Sequence, residues 1–231
     1  MTPEAFVRTL GRHRTTAIIR SGDTDLAAAA MAAAIAGGVR IVEFTLTTPG
    51  AYELIAEFSR PEVSRPEVSR EGSLPEPLVV GAGTVLELHE LERALAAGAG
   101  FVVSPVFDPV IIRAANEAGV AVLPGVHTPT EMLAAHRAGA PLLKLFPSPA
   151  GGPAWLQSVL APLPMLRVVP THGVTIDNIG AWLEAGAWAV GLVADLFRPA
   201  WLAARDYGAI TEHARALRAV VAAKGAHARA I

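Results

Sequence analysis

The feature that most constrains this chain is a rhythm. Short β-rich runs alternate with longer Ala/Leu-rich runs, which repeatedly end on glycine directly before the next β-rich run. Candidate strands are "TAIIR" (16–20), "RIVEFTL" (40–46), "LVVGAGTV" (78–85), "GFVVSP" (100–105), "VAVLPG" (120–125), "LLKLF" (142–146), "RVVPT" (167–171) and "WAVGLV" (188–193). Intervening segments such as "DTDLAAAAMAAAIAGG" and "LELHELERALAAGAG" place apolar residues at helical spacing. Asp23, Thr24, Asp108, Thr128 and Thr175 are the expected N-caps, and the endings "AGG", "AGAG", "AGV" and "AGA" the expected C-caps. Eight strand–helix units in a row predict an α/β fold, a parallel (β/α)8 barrel with a short extra N-terminal helix at 3–13. An open doubly wound sheet is the alternative, but so many units in so short a chain favour closure. The 231 residues suit one such barrel, typically about 250 residues, and one domain over 1–231 is expected.

One segment breaks the rhythm. "SRPEVSRPEVSREGSLPEP" (59–77) repeats SRPEV in tandem and carries four prolines, which predicts a flexible insertion. Lying between a helix and the following strand, it falls on the N-terminal face of a barrel, opposite the face where barrels do chemistry.

Composition narrows the function. The 52% hydrophobic content fits a large, well-filled core, much of it alanine that lets helices pack closely on a sheet. A formal net charge of −2, with arginines spread along the chain, gives no reason to expect nucleic acid or an acidic membrane as a partner. Absence of cysteine excludes disulfides, thiolate metal sites and cysteine nucleophiles. The N-terminus lacks the apolar core of a signal peptide, and no uncharged apolar run reaches the roughly 18 residues of a membrane span. A soluble, cytoplasmic protein is expected.

In a barrel of this kind the polar residues that matter lie at the C-terminal strand ends. They are Arg20, Glu43, Thr45, Thr47, Thr84, Ser104, His127, Lys144, Thr171 and His172. Alternation puts Ile41, Glu43, Thr45 and Thr47 on one strand face, and Leu142, Lys144 and Phe146 on one face of another. Strands 2 and 6 oppose one another in an eight-stranded barrel, so Glu43 and Lys144 are expected to enter one pocket from opposite walls. Lys144 is one of only two lysines, against seventeen arginines, and interrupts an otherwise apolar strand. A structural ion pair with Glu43 is one explanation, although such a pair is often no more stable than an apolar one. The other is nucleophilic chemistry. Apolar surroundings favour a neutral amine, which attacks a carbonyl to form a Schiff base, while a nearby carboxylate moves protons. Arginine, always protonated, cannot substitute.

The stretches "AIIR", "AGGVRIVEFTLTTP", "VVGAGTVL", "FVVSP", "LPGVHTPTE", "LKLFPSPAGGP" and "VVPTHGVTIDNIGAWLEAGAWAVGL" occur in an order and spacing that cover nearly the whole chain. Together they resemble the 2-keto-3-deoxy-6-phosphogluconate (KDPG) and 4-hydroxy-2-oxoglutarate (KHG) aldolases, class I enzymes on a trimeric (β/α)8 barrel. The resemblance implies Lys144 in "KLFP" as the Schiff-base lysine and Glu43 in "VEFT" as the general acid/base. It implies Arg20 and Thr84 as contacts of the keto-acid end, and Pro105 and Pro124–Gly125 as pocket wall. The phosphate end falls to Thr171, His172, Gly173 and Gly191, after strands 7 and 8. The implied reaction splits a 2-keto-3-deoxy-6-phospho sugar acid into pyruvate and glyceraldehyde 3-phosphate, without metal or organic cofactor. The implied partners are the 2-keto acid substrate and two further copies of the chain.

Three departures stand out. Thr47 replaces an arginine that some members carry four residues after the glutamate, and Arg20 supplies an arginine at the end of strand 1 instead. "PTHG" (170–173) stands where "PTGG" is usual, and "GLVADLF" (191–197) where a small Gly-Ser pair is common. The last two remove close backbone approach and a hydroxyl donor at the phosphate end, leaving His172 to bind or block and Asp195 to repel a dianion or cap a helix. They bring forward an unphosphorylated 2-keto-4-hydroxy acid, such as 4-hydroxy-2-oxoglutarate, as the alternative substrate. More distant alternatives are a metal-dependent lyase or epimerase using His127, His172 and Glu43, and a catalytically silent oligomeric scaffold. His89, His136 and His213 fall on predicted helices and are expected at the surface.

Overall fold

A computed structural model of the chain describes residues 1–64 and 77–224. In chain order the elements are α1 (Pro3–His13), β1 (Thr15–Ile19), α2 (Thr24–Ala36), β2 (Ile41–Thr45), α3 (Ala51–Phe58), the single-turn α4 (Pro61–Ser64) and β3 (Val79–Gly83). They continue as α5 (Leu88–Ala96), β4 (Phe101–Val103), α6 (Pro109–Glu117), β5 (Ala121–Leu123), β6 (Gly125–Val126), α7 (Pro129–Arg137) and β7 (Leu143–Leu145). The last are α8 (Gly152–Leu160), β8 (Val168–Pro170), α9 (Ile179–Glu184), β9 (Val190–Leu192), α10 (Pro199–Ala204) and α11 (Tyr207–Lys224). Most of the expected insertion, residues 65–76, lies outside the described residues.

All strand pairings are parallel. Six strands form a curled sheet in the order β5-β4-β3-β2-β1-β9, and β6-β7-β8 form a second sheet. The parallel α/β architecture is as expected, but the strands pair as two sheets of six and three, and prolines account for both breaks. Pro124 splits the expected fifth strand into β5 and β6, because it has no N–H to donate, while its carbonyl accepts from the Lys144 N–H at 2.9 Å. At the other junction the Trp188 N–H donates to Val168 O at 2.8 Å. Parallel pairing would take its next donor on that side from residue 170, and Pro170 has none. One rung forms and the ladder stops.

The two sheets nonetheless share one interior. Inward residues Ile41, Val79, Phe101, Val103, Ala121 and Leu123 of the first sheet cluster with Leu142 and Val169 beside the second. Helix α1 closes that cluster from below with Phe6, Val7 and Leu10, all buried. Phe6 stacks on Phe101 with ring centroids 4.5 Å apart. Thr2 caps α1 through its side chain, and the Trp188 indole N–H donates to Val7 O at 3.1 Å. Outward-facing residues such as Val42, Phe44, Val80, Ala82, Val102 and Val122 meet the helix layer in a second, larger cluster. The alternation that lets a strand feed two cores therefore sorts each sheet residue into plug side or helix side.

Helix ends explain the tight spacing. Gly38, Gly98, Gly119, Gly139 and Gly186 all take positive φ just past a helix, the left-handed stop that an L side chain resists. Asp23, Asp108 and Thr128 accept helical N–H bonds as N-caps. Thr24 and Thr175, expected as caps, are not. Asp23 occupies the cap position of α2, and Thr24 Oγ1 donates to Pro49 O at 2.8 Å instead. Helix α9 starts later than expected, after Asn178, whose Oδ1 accepts from the Thr175 N–H at 2.9 Å.

Replacing Phe6 by Ala removes the largest side chain of the plug. We expect a loss of about 3–5 kcal/mol in unfolding free energy, read from urea denaturation.

Candidate active site

Glu43 lies mid-strand in β2, between Ile18 of β1 and Gly81 of β3. It is 1% exposed. A Cβ on Gly83 would land on Glu43 Oε1, so the second glycine of "GAG" is the space in which this carboxyl sits. Lys144 projects from β7, between Gly125 of β6 and Val169 of β8, and is 7% exposed. Its ammonium is 5.2 Å from the centre of the Phe146 ring. No salt bridge joins the two groups, and Glu43 Oε1 has no hydrogen-bond partner among the described residues. Burial raises the Glu43 pKa, and the positive charges of Lys144 and then Arg20 pull it back only in part. The result is a carboxyl that keeps its proton to higher pH than an exposed one.

Above this pair opens a cavity of about 540 Å³, lined by Lys144 and Phe146 together with Arg20, Thr45 and Pro105 and with the turns after β8 and β9. Arg20 follows β1, and its Nη2 donates a long 3.4 Å bond to Thr84 Oγ1. Thr84 itself has φ of 63°, a left-handed conformation that costs a β-branched residue roughly 1–3 kcal/mol. Thr45 Oγ1 lies 3.1 Å from Thr47 Oγ1 and 3.3 Å from Thr48 Oγ1, and Thr48 in turn accepts from the Ser21 N–H at 3.2 Å. This hydroxyl chain ties the turn after β2 to the turn after β1. Gly125 is required beside Pro105, because a Cβ there would meet the Pro105 carbonyl.

The turns after β8 and β9 form the other wall. Thr171 is buried and donates to Val169 O at 3.2 Å. Gly191 faces it, where a Cβ would come within 2.7 Å of Thr171 Oγ1. His172 is exposed and meets Phe146 edge-on at 6.2 Å. Gly173, at φ 71°, accepts from Asn178 Nδ2 at 2.8 Å, which pins the turn. Asp195 caps no helix. It accepts from the Ile176 N–H at 3.0 Å, from His213 Nε2 at 2.8 Å and from Arg198 Nη2 at 2.9 Å. Burial pushes its pKa up, but these hydrogen bonds outweigh burial and hold it below the usual aspartate value. His213 is accordingly no surface residue: its side chain is 11% exposed, drawn in by Asp195.

Of the residues picked out from sequence, Arg20, Pro105, Lys144, Thr171, His172, Gly173 and Gly191 line the cavity. Glu43 lies buried beneath it, and Thr84 joins through Arg20. Ile18 and Arg198 also line it and were not foreseen. Ile18 was legible, two residues before Arg20 on the same strand face. Nothing local marks Arg198, whose position depends on Asp195 and Trp201. His127 does not line the cavity; its Nδ1 is 2.8 Å from Pro147 O. Among the described residues no three His, Asp or Glu side chains gather as a metal-ligand set, so the metal-dependent alternative lacks its constellation.

The raised Glu43 pKa has a signature in stability. A carboxyl harder to ionise folded than unfolded supports folding fully below its unfolded value, near 4.5, and that support is lost as pH rises through the folded value. Glu43→Gln should therefore gain stability relative to the wild type as pH rises from about 4.5, levelling off once Glu43 is ionised in the folded protein. Urea midpoints of both proteins across this range check the sign.

Comparison with known proteins agrees with this geometry. The family model described as KDPG and KHG aldolase matches residues 7–213. The chain is 34% identical to the 2-dehydro-3-deoxy-6-phosphogalactonate aldolase of Escherichia coli K12, over 79% of this chain and 83% of that protein. It is also 34% identical to the KHG/KDPG aldolase of the same organism, over 79% and 80%. A solved structure described as native KDPGal superposes with a TM-score of 0.76 at 29% identity, covering 91% of this chain and 95% of that one. The chain thus belongs to the KDPG and KHG aldolase family, and is a carbon–carbon lyase.

Proposed function

We propose that the protein is a class I aldolase that reversibly cleaves a 2-keto-3-deoxy-6-phospho sugar acid to pyruvate and glyceraldehyde 3-phosphate. The observation that carries this reading is a lysine only 7% exposed that lines the cavity and whose charge acts on a buried carboxyl, Glu43, with Oε1 lacking a hydrogen-bond partner among the described residues. Lys144 Nζ adds to the C2 ketone, and the carbinolamine loses water to give a protonated imine. Glu43, as carboxylate and acting through water, takes the proton of the C4 hydroxyl. The C3–C4 bond breaks, its electron pair moves into the iminium to form an enamine, and the aldehyde leaves. Glu43 then returns the proton to C3, and water hydrolyses the imine to release pyruvate and the free amine. A carboxyl whose pKa is raised by burial suits both halves of this cycle, because it is a stronger base when ionised and holds its proton to higher pH than an exposed one. The iminium is the electron sink, so the cycle calls for no metal and no organic cofactor.

Arg20 and Thr84 hold the substrate carboxylate, Pro105 and Pro124–Gly125 wall the pyruvate end, and Thr171, His172, Gly173 and Gly191 surround the phosphate end. A second reading, the same chemistry on an unphosphorylated acid such as 4-hydroxy-2-oxoglutarate, draws on Val193 and Ala194, which line the cavity where a small Gly-Ser pair is common in the resemblance. We further propose that the two sheets act as one closed (β/α)8 barrel in a cytoplasmic homotrimer. The shared interior cluster supports closure, and exposed Leu86, Leu88, Val106 and Val110, in the turns after β3 and β4 and at the starts of α5 and α6, supply apolar surface for a second copy. Among the described residues no helix is long and apolar enough to cross a membrane.

Pyruvate and borohydride test the imine directly. The expected product is a carboxyethyl group on Lys144, located by peptide mapping and missing from Lys144→Ala. The only other lysine, Lys224, is paired with Glu184 at 2.8 Å. No adduct in a folded sample with pyruvate in excess would sink the class I reading.

A further inference from the structure

We propose that Arg198 is a specificity-determining residue that binds the terminal phosphate of the substrate, and that Asp195 and His213 position it. This deepens the aldolase reading above and rests on it. Arg198 lines the same cavity as Lys144, from the turn that leads from β9 into α10. Its guanidinium is held along one edge by Asp195 and over one face by Trp201. Nε donates to Asp195 O at 3.3 Å, Nη2 donates to Asp195 Oδ1 at 2.9 Å, and the group lies 4.6 Å from the centre of the Trp201 ring. Nη1 has no hydrogen-bond partner among the described residues, and the side chain is 44% exposed. A planar fork fixed along one edge, with its other donors open to a cavity, is organised in advance for an oxyanion.

The surrounding groups serve that fixed position. Asp195 also lines the cavity, but its side chain is only 8% exposed, and both carboxylate oxygens are engaged by the Ile176 N–H, His213 and Arg198, so its charge is spent on these donors. An ionised carboxylate only accepts, so His213 Nε2 carries the proton of their 2.8 Å bond, and His213 in turn meets Trp201 edge-on at 5.3 Å. Helix α11 thereby braces the aspartate and the ring that hold Arg198. With His172 and the Val193–Ala194 pair where a glycine and a Gly-Ser pair are usual in the resemblance, close backbone approach is reduced, a hydroxyl is lost, and a long side chain supplies the phosphate donors instead. Lysine would not serve equally, since a single ammonium lacks the fork that bonds Asp195 on one edge and phosphate on the other.

The test is steady-state kinetics with 2-keto-3-deoxy-6-phosphogluconate and with its dephosphorylated counterpart, on wild type, Arg198→Met, Arg198→Lys and Asp195→Asn. Arg198→Met should raise KM for the phosphorylated acid roughly 10- to 100-fold with much less effect on kcat. The dephosphorylated acid should be affected far less. Arg198→Lys should fall between the wild type and Arg198→Met, and Asp195→Asn should give the same split in weaker form, because it acts through Arg198. Equal losses on both acids would make Arg198 merely structural and overturn the proposal, as would a wild type that does not favour the phosphorylated acid. Borohydride trapping of pyruvate on each protein separates the layers. A Lys144 adduct in the wild type with no phosphate-dependent split overturns the Arg198 role alone, and no adduct in the wild type overturns both readings.

Discussion

A buried carboxyl oxygen with no hydrogen-bond partner among the described residues is the constraint around which this structure is arranged. Glu43 Oε1 is in that position, and leaving such a group unpaired typically costs about 1–3 kcal/mol. The surroundings make the arrangement sterically and electrically possible. Gly83 vacates the space that the carboxyl fills, and Gly81 leaves room for the Phe101 ring on the same face. Lys144 and Arg20 lower the electrostatic cost of ionisation without neutralising the group outright. Below them the Phe6–Phe101 stack and the rest of the α1 plug close the interior at the end away from the cavity. Two ionisable groups are thus held between an apolar plug on one side and an open cavity on the other.

Rigidity around the cavity comes from short connections that are tied to one another. Thr48 links the turns after β1 and β2, Asn178 pins the turn after β8, and Asp195 joins the turns after β8 and β9 to helix α11. Three of these bonds satisfy backbone groups of the turns, at Ser21, Gly173 and Ile176, and the bond from Asp195 to His213 joins two side chains. The strained Thr84 belongs to the same pattern, since its left-handed backbone presents Oγ1 to Arg20. Proline has the opposite effect on the sheet: Pro124 and Pro170 interrupt pairing where the cavity wall must leave regular strand geometry.

Most of the scaffold was legible because it rests on local rules. Strand positions followed from β-rich runs and the glycine stops from helix geometry, and the inward direction of Glu43 and Lys144 followed from simple alternation. What escaped depended on contacts distant in sequence. The break at Pro170 could not be anticipated without knowing that residues 168 and 170 face β9. His213 looked like a surface residue until Asp195, eighteen positions earlier, was found 2.8 Å away. Arg198 carries no pattern of its own, because Asp195 and Trp201 fix it through packing rather than through any motif. Thr24 is no cap because Asp23, one position earlier, accepts the helical N–H, and Thr175 is none because α9 begins only after Asn178, whose Oδ1 accepts from the Thr175 N–H.

The account stands or falls on whether Lys144 and Glu43 work as one unit on the carbon next to an imine. Exchange of the pyruvate methyl protons in D2O, followed by proton NMR, reports both groups at once: the imine acidifies the methyl group and the carboxylate removes its proton. The structure predicts steady loss of the methyl signal with wild-type protein, none with Lys144→Ala, and a much slower loss with Glu43→Gln. Exchange by Glu43→Gln at the wild-type rate would remove Glu43 from the chemistry. Absence of exchange by folded wild type would contradict the central claim that this buried pair performs imine catalysis.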